Sequence, residues 1–216
     1  MSMQEARQDM VARQLAGRGI ADERVLRAMG EVPREAFVAP AHRSLAYADG
    51  PLPIGRGQTI SQPWIVARMI EAARIGPGSR VLEIGAGSGY AAAVMLQMDA
   101  HVLAIERDPA LAEAARLRLE DLGYELELRC ADGSAGAPQS APFDAIIVSA
   151  AGPRLPEPLR RQLVPGGRLV MPVGSAEVQR LLRLTAPDPP GSGNPRTEDL
   201  GGVRFVPLLG AEGWPL

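Results

Sequence analysis

With 216 residues, 46 % of them apolar and 22 % charged, the chain is long enough for one α/β unit with a buried sheet and too short for two full domains. The formal net charge is −2, and all 23 basic residues are arginines spread along the chain, so no basic patch calls for a nucleic-acid partner. A single cysteine, Cys130, excludes an intrachain disulfide framework and a multi-cysteine metal cage; His42 and His101 lack ligand spacing, so no metal is expected.

The first residues, Met1 to Gly17, carry Glu5, Arg7, Asp9 and Arg13 and lack the apolar run of a signal peptide. No stretch reaches the roughly 20 apolar residues of a membrane span, so a cytoplasmic protein without membrane contact is expected. From Gln4 to Ala16, Ala6, Met10, Val11 and Leu15 fall at helical spacing, and Gly17 and Gly19 end the run. A second helix is predicted after Asp22, with Val25, Leu26 and Met29 on one face and Gly30 and Pro33 as its stop. Residues 40–58 hold Pro51, Pro53, Gly55 and Gly57 and read as a surface loop. Ser61-Gln62-Pro63 then opens an amphipathic helix reaching about Arg74.

From Arg80 onward, short apolar runs alternate with helical segments, the pattern of βαβ units. The predicted strands are 81–84, 102–105, 126–130, 145–148 and 169–173, with helices at 89–97, 109–122 and 156–163. Residues 187–200, rich in Pro and Gly, read as a loop between two late antiparallel strands, 181–184 and 203–208. The expected fold is α/β: a mostly parallel central sheet with helices on both faces and a late antiparallel pair. Residues 1–78 would supply N-terminal helices and a substrate-binding segment, and 79–216 the cofactor-binding core.

The segment Val81-Leu82-Glu83-Ile84-Gly85-Ala86-Gly87-Ser88-Gly89-Tyr90 ends a strand in an acid, turns on glycines and starts a helix. Glycine permits the positive φ and the close backbone approach that a nucleotide ligand needs. Gly85, Gly87 and Gly89 give G-x-G-x-G; a dinucleotide fingerprint would need glycine where Tyr90 stands, which argues against an NAD oxidoreductase. Glu106, 21 residues after Gly85 and followed by Arg107, ends the next strand, where a carboxylate can accept both ribose hydroxyls. Asp132-Gly133 ends the third, with an acid in reach of an adenine amino group and a glycine leaving room for the base. Glu106 and Asp132 could instead cap a helix and a turn. Order and spacing together predict S-adenosylmethionine, with product S-adenosylhomocysteine, on a Rossmann-like class I methyltransferase fold.

Upstream, Leu52-Pro53-Ile54-Gly55-Arg56-Gly57-Gln58-Thr59-Ile60-Ser61-Gln62-Pro63 resembles the signature of protein-L-isoaspartate O-methyltransferases. The likeness extends through Pro142 to Val148 and Leu163 to Leu169, and the ending Val203 to Leu208 is also similar. This resemblance implies methylation of the free α-carboxylate of L-isoaspartyl, and D-aspartyl, residues in damaged proteins, which starts repair through a succinimide. It implies that Thr59, Ile60 and Ser61 flank both ligands and that Ser61 holds the substrate carboxylate; Ser61 could also cap the helix after it. Some relatives carry threonine where this chain has Leu209. Isoaspartyl proteins and peptides are the expected partners, and the chain is expected to be a monomer. A carboxylate with a pKa of about 4 is already ionised at neutral pH and needs no general base. A nucleic-acid amino-methyltransferase is disfavoured by Ser149-Ala150-Ala151-Gly152 after the fourth strand. Methylation of aspartate in a dedicated peptide is the alternative that the sequence leaves open.

Overall fold

In the computed structural model, which describes residues 1–215, the chain opens with reciprocal capping. The Ser2 hydroxyl accepts from the Glu5 N–H, and the Glu5 carboxylate accepts from that of Ser2, at the start of α1 (Met3–Asp9). The predicted first helix continues as a π-helical stretch, Met10–Leu15, and a 3-10 turn, Ala16–Arg18, ended by left-handed Gly19. The wider π turn brings Met10 and Leu15, five residues apart and both fully buried, toward one side. Helix α2 (Glu23–Glu31) starts on the Asp22 cap as expected.

The surface loop predicted over 40–58 is structured. Two 3-10 turns, Arg34–Phe37 and Pro40–Leu45, lead into an antiparallel hairpin of β1 (Leu52–Gly55) and β2 (Gln58–Ile60). Arg56 and Gly57 form its two-residue turn, both at positive φ (55° and 73°), as a type I′ turn requires. Helix α3 (Pro63–Ala73) follows directly.

The core alternates β3 (Arg80–Ile84), α4 (Tyr90–Leu96), β4 (His101–Glu106), α5 (Pro109–Asp121), β5 (Glu127–Cys130), β6 (Phe143–Val148), a single turn α6 (Glu157–Arg160) and β7 (Leu163–Gly174). Then come β8 (Gln179–Thr185) and β9 (Arg196–Val203). The seven-stranded sheet has the order β5-β4-β3-β6-β7-β8-β9, parallel through β7 and antiparallel after it. The last strand is therefore not 203–208, as expected, but lies largely inside the predicted loop. Its side chains are mostly polar and pair across strands, Arg183 with Glu198 and Arg180 with Asp199 at 2.8 Å each.

Alternate residues of each inner strand enter different cores. Val81, Ala145 and Ile147 pack with the N-terminal helices, through Met10, Val25, Met29 and Phe37, whereas Leu82, Ile146 and Val148 pack with Leu159 and Leu169. Residues 1–78 thus share one apolar core with the sheet. Strand order reverses at β3, so a crevice opens between the carboxyl ends of β3 and its neighbours.

Candidate active site

At the end of β3 the chain turns over the sheet edge: the Gly85 and Ala86 N–H groups both donate to the Ile105 carbonyl, at 2.8 and 3.2 Å. Gly85 (φ 82°) and Gly87 (φ 55°) line the cavity beneath. Gly89 does not; a side chain there would meet Leu119 of α5 at 2.9 Å, so this glycine serves the packing of α4 on α5. Gly133 does line the cavity, and a Cβ on it would strike Ile84 at 2.8 Å and Ile105 at 3.2 Å.

The cavity, of about 380 Å³, has three acids in its wall, Glu83, Glu106 and Asp108. Their surroundings differ. Glu106 accepts from the N–H groups of Gly87 (2.8 Å), Arg107 (2.7 Å) and Asp108 (2.9 Å). Three of its roughly four acceptor positions are thereby taken, leaving one for a ligand hydroxyl where the sequence led us to expect two. Helix α5 is capped by Asp108 and not by Glu106. Glu83 is fully buried, and its Oε2 has no partner. Burial, with the Glu106 charge added, pushes its carboxyl up to about 8. A buried acid without a partner beside a second carboxylate is complementary to a cation, and the methionine ammonium of S-adenosylmethionine is such a group.

Hairpin β1–β2 closes the opposite side. Thr59, Ile60 and Ser61 line the cavity with Gln58, and the hairpin tip is tied to the α5 cap by an Arg56–Asp108 pair at 2.9 Å. Beyond Ser61 lies a second concavity of about 560 Å³, bounded by Arg18, Trp64, Arg204 and Phe205, and the two spaces share Thr59, Ser61, Ser149 and Val206. Ser61 therefore stands at their junction. It does not cap α3, whose N-cap is Gln62 with no side-chain bond.

Sequence reasoning missed Arg34. It is fully buried, its guanidinium lies 4.9 Å over the Tyr90 ring, and it donates to the carbonyls of Ala46 (2.8 Å) and Ser61 (2.7 Å). Burial pulls its pKa below the usual guanidinium range. Nothing in the sequence marks a lone arginine in a turn as buried. The chain's ending was noted only for its likeness: Val206, Pro207, Leu208 and Leu209 form a cavity wall, held by paired backbone bonds between Ala151 and the carbonyl of Val206 and N–H of Leu208, each 2.8 Å.

Asp132 lies outside the cavity lining. Its exposed carboxylate accepts from the N–H groups of Ser134 and Ala211, 2.9 Å each, and so clamps the C-terminal segment. Partial burial raises its pKa, but these N–H donors outweigh burial and the net shift is downward. Two of its roughly four acceptor positions are thereby taken, and of the pair Gly133 lines the cavity while Asp132 does not. Among the described residues no cluster of three or more His, Cys, Asp or Glu is placed to hold a metal, and no helix is long and apolar enough to cross a membrane.

A parallel sheet that reverses at a glycine turn, with paired acids over a nucleoside-sized cavity, defines a class I S-adenosylmethionine-dependent methyltransferase. The family model for protein-L-isoaspartate(D-aspartate) O-methyltransferase (PCMT) matches residues 5–213, and the chain belongs to that family. It is 60 % identical over 204 residues to a protein-L-isoaspartate O-methyltransferase of Methylorubrum populi, covering 94 % of this chain and 95 % of that one. A Brucella anthropi protein of the same name is 52 % identical over 216 residues, covering 99 % and 98 %. Among solved structures, a protein-L-isoaspartate O-methyltransferase superposes with a TM-score of 0.82 at 30 % identity, covering 95 % of this chain and 66 % of that longer one. A Plasmodium falciparum β-aspartate methyltransferase (PCMT), solved with S-adenosyl-L-homocysteine, gives 0.80 at 26 % identity, covering 94 % and 98 %.

Proposed function

We propose that this chain transfers the methyl group of S-adenosylmethionine to the free α-carboxylate of L-isoaspartyl, and D-aspartyl, residues in damaged proteins and peptides, with Ser61 orienting that carboxylate. The observation that carries the reading is the position of Ser61, between a cofactor-sized cavity and a second open concavity. S-adenosylmethionine supplies, when bound, a methyl group on a positively charged sulfur. Glu83 receives the ligand's ammonium on its unpartnered oxygen, Glu106 accepts from a ribose hydroxyl, and Gly133 leaves a flat space beside Ile105 for the base.

Because the substrate carboxylate is ionised at neutral pH, the protein supplies position and exclusion of water and no base. The Ser61 hydroxyl, free of a capping bond, donates to one carboxylate oxygen and leaves the other for the methyl. Arg34 fixes the Ser61 main chain from below. Hairpin β1–β2 and the Val206 to Leu209 segment shield the space between the ligands, where loss of opposite charges is favoured by a dry surrounding. In the methyl ester the methoxy group can leave where a carboxylate oxygen cannot, so the next amide nitrogen attacks the ester carbonyl, the C–OCH3 bond breaks and methanol departs with the amide proton. Hydrolysis of the resulting succinimide returns some aspartyl linkage. The test is methyl transfer to two peptides of one sequence that differ only in an isoaspartyl or aspartyl linkage. Base-labile methyl groups should appear on the isoaspartyl peptide; equal or greater methylation of the aspartyl peptide would overturn the proposal in favour of aspartate methylation.

A further inference from the structure

The antiparallel edge of the sheet stacks arginines. Arg168 of β7 lies opposite Thr185 of β8, which lies opposite Arg196 of β9; two positions along, Val170 faces Arg183, which faces Glu198. Residues paired across strands, or two apart along one, share a face. Arg168, Arg183, Arg196 and Glu198 therefore stand on one side of three adjoining strands. Arg74, the C-cap of α3, comes down on that side, where Arg183 Nη1 also donates to the Ala72 carbonyl at 3.3 Å. These side chains line a recess of about 220 Å³.

Four guanidinium groups here face one carboxylate, in a chain whose formal net charge is −2. Glu198 is already spent: its Oε1 accepts from Arg183 Nε and Nη2 at 3.0 and 2.8 Å, and its Oε2 faces Arg196 at 3.4 Å. Asp188 lies over Gly166 and does not line the recess. Arg74 and Arg168 form no ion pair among the described residues. Partial burial, and then the charges of Arg74 and Arg183, pull the Arg168 guanidinium below its ordinary pKa. Like charges on neighbouring strands destabilise a sheet. The carbonyls ending α3 offset part of this at Arg74.

We propose that this recess is an anion site that binds a small phosphate-type oxyanion, inorganic phosphate or pyrophosphate, through Arg74 and Arg168 with Arg183 behind them. Guanidinium forks match phosphate oxygens in pairs, and several converging forks select a multiply charged anion over chloride. The recess is smaller than the cofactor cavity, which suits a phosphate group and not a nucleoside. It also lies at the other end of the strands: Arg168 pairs with Ala145 near the start of β6, whereas the cofactor cavity opens past Val148. Binding here stabilises the folded chain by mass action and leaves methyl transfer untouched.

Thermal melts in phosphate-free buffer, with sodium chloride added to hold ionic strength constant, test the site. Wild type should show a saturable rise in Tm with pyrophosphate, and a weaker one with inorganic phosphate. Arg168→Gln and Arg74→Gln should each raise the apparent Kd by tenfold or more, while Arg43→Gln, on an exposed turn elsewhere, should not. Because the Arg168 side chain has no ion-pair partner to lose, its variant should melt at or slightly above wild type without anion. Methyl transfer should be unchanged in all three. A rise that tracks ionic strength alone, or one equal in wild type and the recess variants, would overturn the site.

Discussion

The two walls of the cofactor cavity are held by different means. The wall formed by β3, the glycine turn and the end of β4 is local: Glu106 reaches back 19 residues to Gly87 and forward to Arg107 and Asp108 through backbone N–H groups. The hairpin wall depends on single side chains from farther away. Arg34 holds the Ser61 carbonyl across 27 residues, and Arg56 reaches Asp108 across 52. A wall whose bonds lie within one short stretch of chain is present as soon as that segment folds, whereas one made of long-range tethers is lost a tether at a time. Cofactor binding and substrate positioning should therefore be separable by mutation.

Arg34→Met gives the largest effect. It removes two charge-assisted bonds, roughly 1.5–3 kcal/mol each, and leaves the Ala46 and Ser61 carbonyls without their donor. Relief of a buried charge, whose Nη1 has no partner, returns part of this. A net loss of about 3 kcal/mol should lower Tm by roughly 6–12 °C. In protein that remains folded, methyl transfer should suffer more than S-adenosylhomocysteine affinity. Equal losses in both would break the comparison between the walls.

Glu83→Gln attacks the local wall. The bound ammonium lowers the raised Glu83 pKa and ionises the carboxyl, a charge that glutamine cannot supply, so S-adenosylmethionine should weaken by about tenfold to a hundredfold in titration calorimetry. The same residue gives a pH signature. Its carboxyl titrates near 8 in the folded chain and near about 4.3 when unfolded. The folded state thus binds more protons between these values, so the stabilisation is full below about pH 4.3 and is lost as pH rises through about 8. Without cofactor, Tm should fall from pH 6 to pH 8 by more in wild type than in Glu83→Gln. Parallel curves would mean that Glu83 is ionised and partnered in solution.

How far each wall could be read from the sequence follows the same division. The apolar strands 81–84, 102–105 and 145–148 are buried on both faces, and the glycine spacing fixes the turn between strand and helix, so a continuous stretch reveals the local wall. The hairpin was hidden because its strands are three and four residues long and hold Pro53 and Gly55, which count as loop signals. Strand β9 was hidden because its partners are ions, Glu198 and Asp199 meeting Arg183 and Arg180, and an apolar pattern cannot register them. The apolar run at 203–208 misled for the converse reason, since it lines the cavity and joins Ala151. Asp132 stands at the expected strand end, but its carboxylate goes to Ala211, 79 residues on, a contact that spacing cannot foresee.

Ser61→Ala sharpens the tethered side. With no helix cap to lose, stability should change by less than about 0.5 kcal/mol. Methylation of an isoaspartyl peptide should slow by tenfold or more, equivalent to about 1.4 kcal/mol of transition-state positioning, with S-adenosylhomocysteine affinity unchanged. Ser61→Thr keeps the hydroxyl and should retain most of the rate. If the alanine variant turned over at the wild-type rate, the carboxylate donor would lie elsewhere, first at Thr59.

The smallest effect belongs to Arg56, whose pair with Asp108 joins the two walls directly. Its side chain is 64 % exposed, so water and salt screen the attraction and the pair contributes little to global stability. Its position matters more than its strength, because it ties the hairpin tip to the residue that caps α5 at the cavity rim. Arg56→Ala should leave Tm unchanged and let S-adenosylhomocysteine dissociate up to threefold faster at low salt. At 0.5 M sodium chloride, where the Debye length falls to roughly 4 Å, the variant and wild type should converge. Stopped-flow displacement at the two salt concentrations reads this directly. A difference that persisted at high salt would point to packing of the arginine stem, and identical rates at both would show that the hairpin stays closed without its tether.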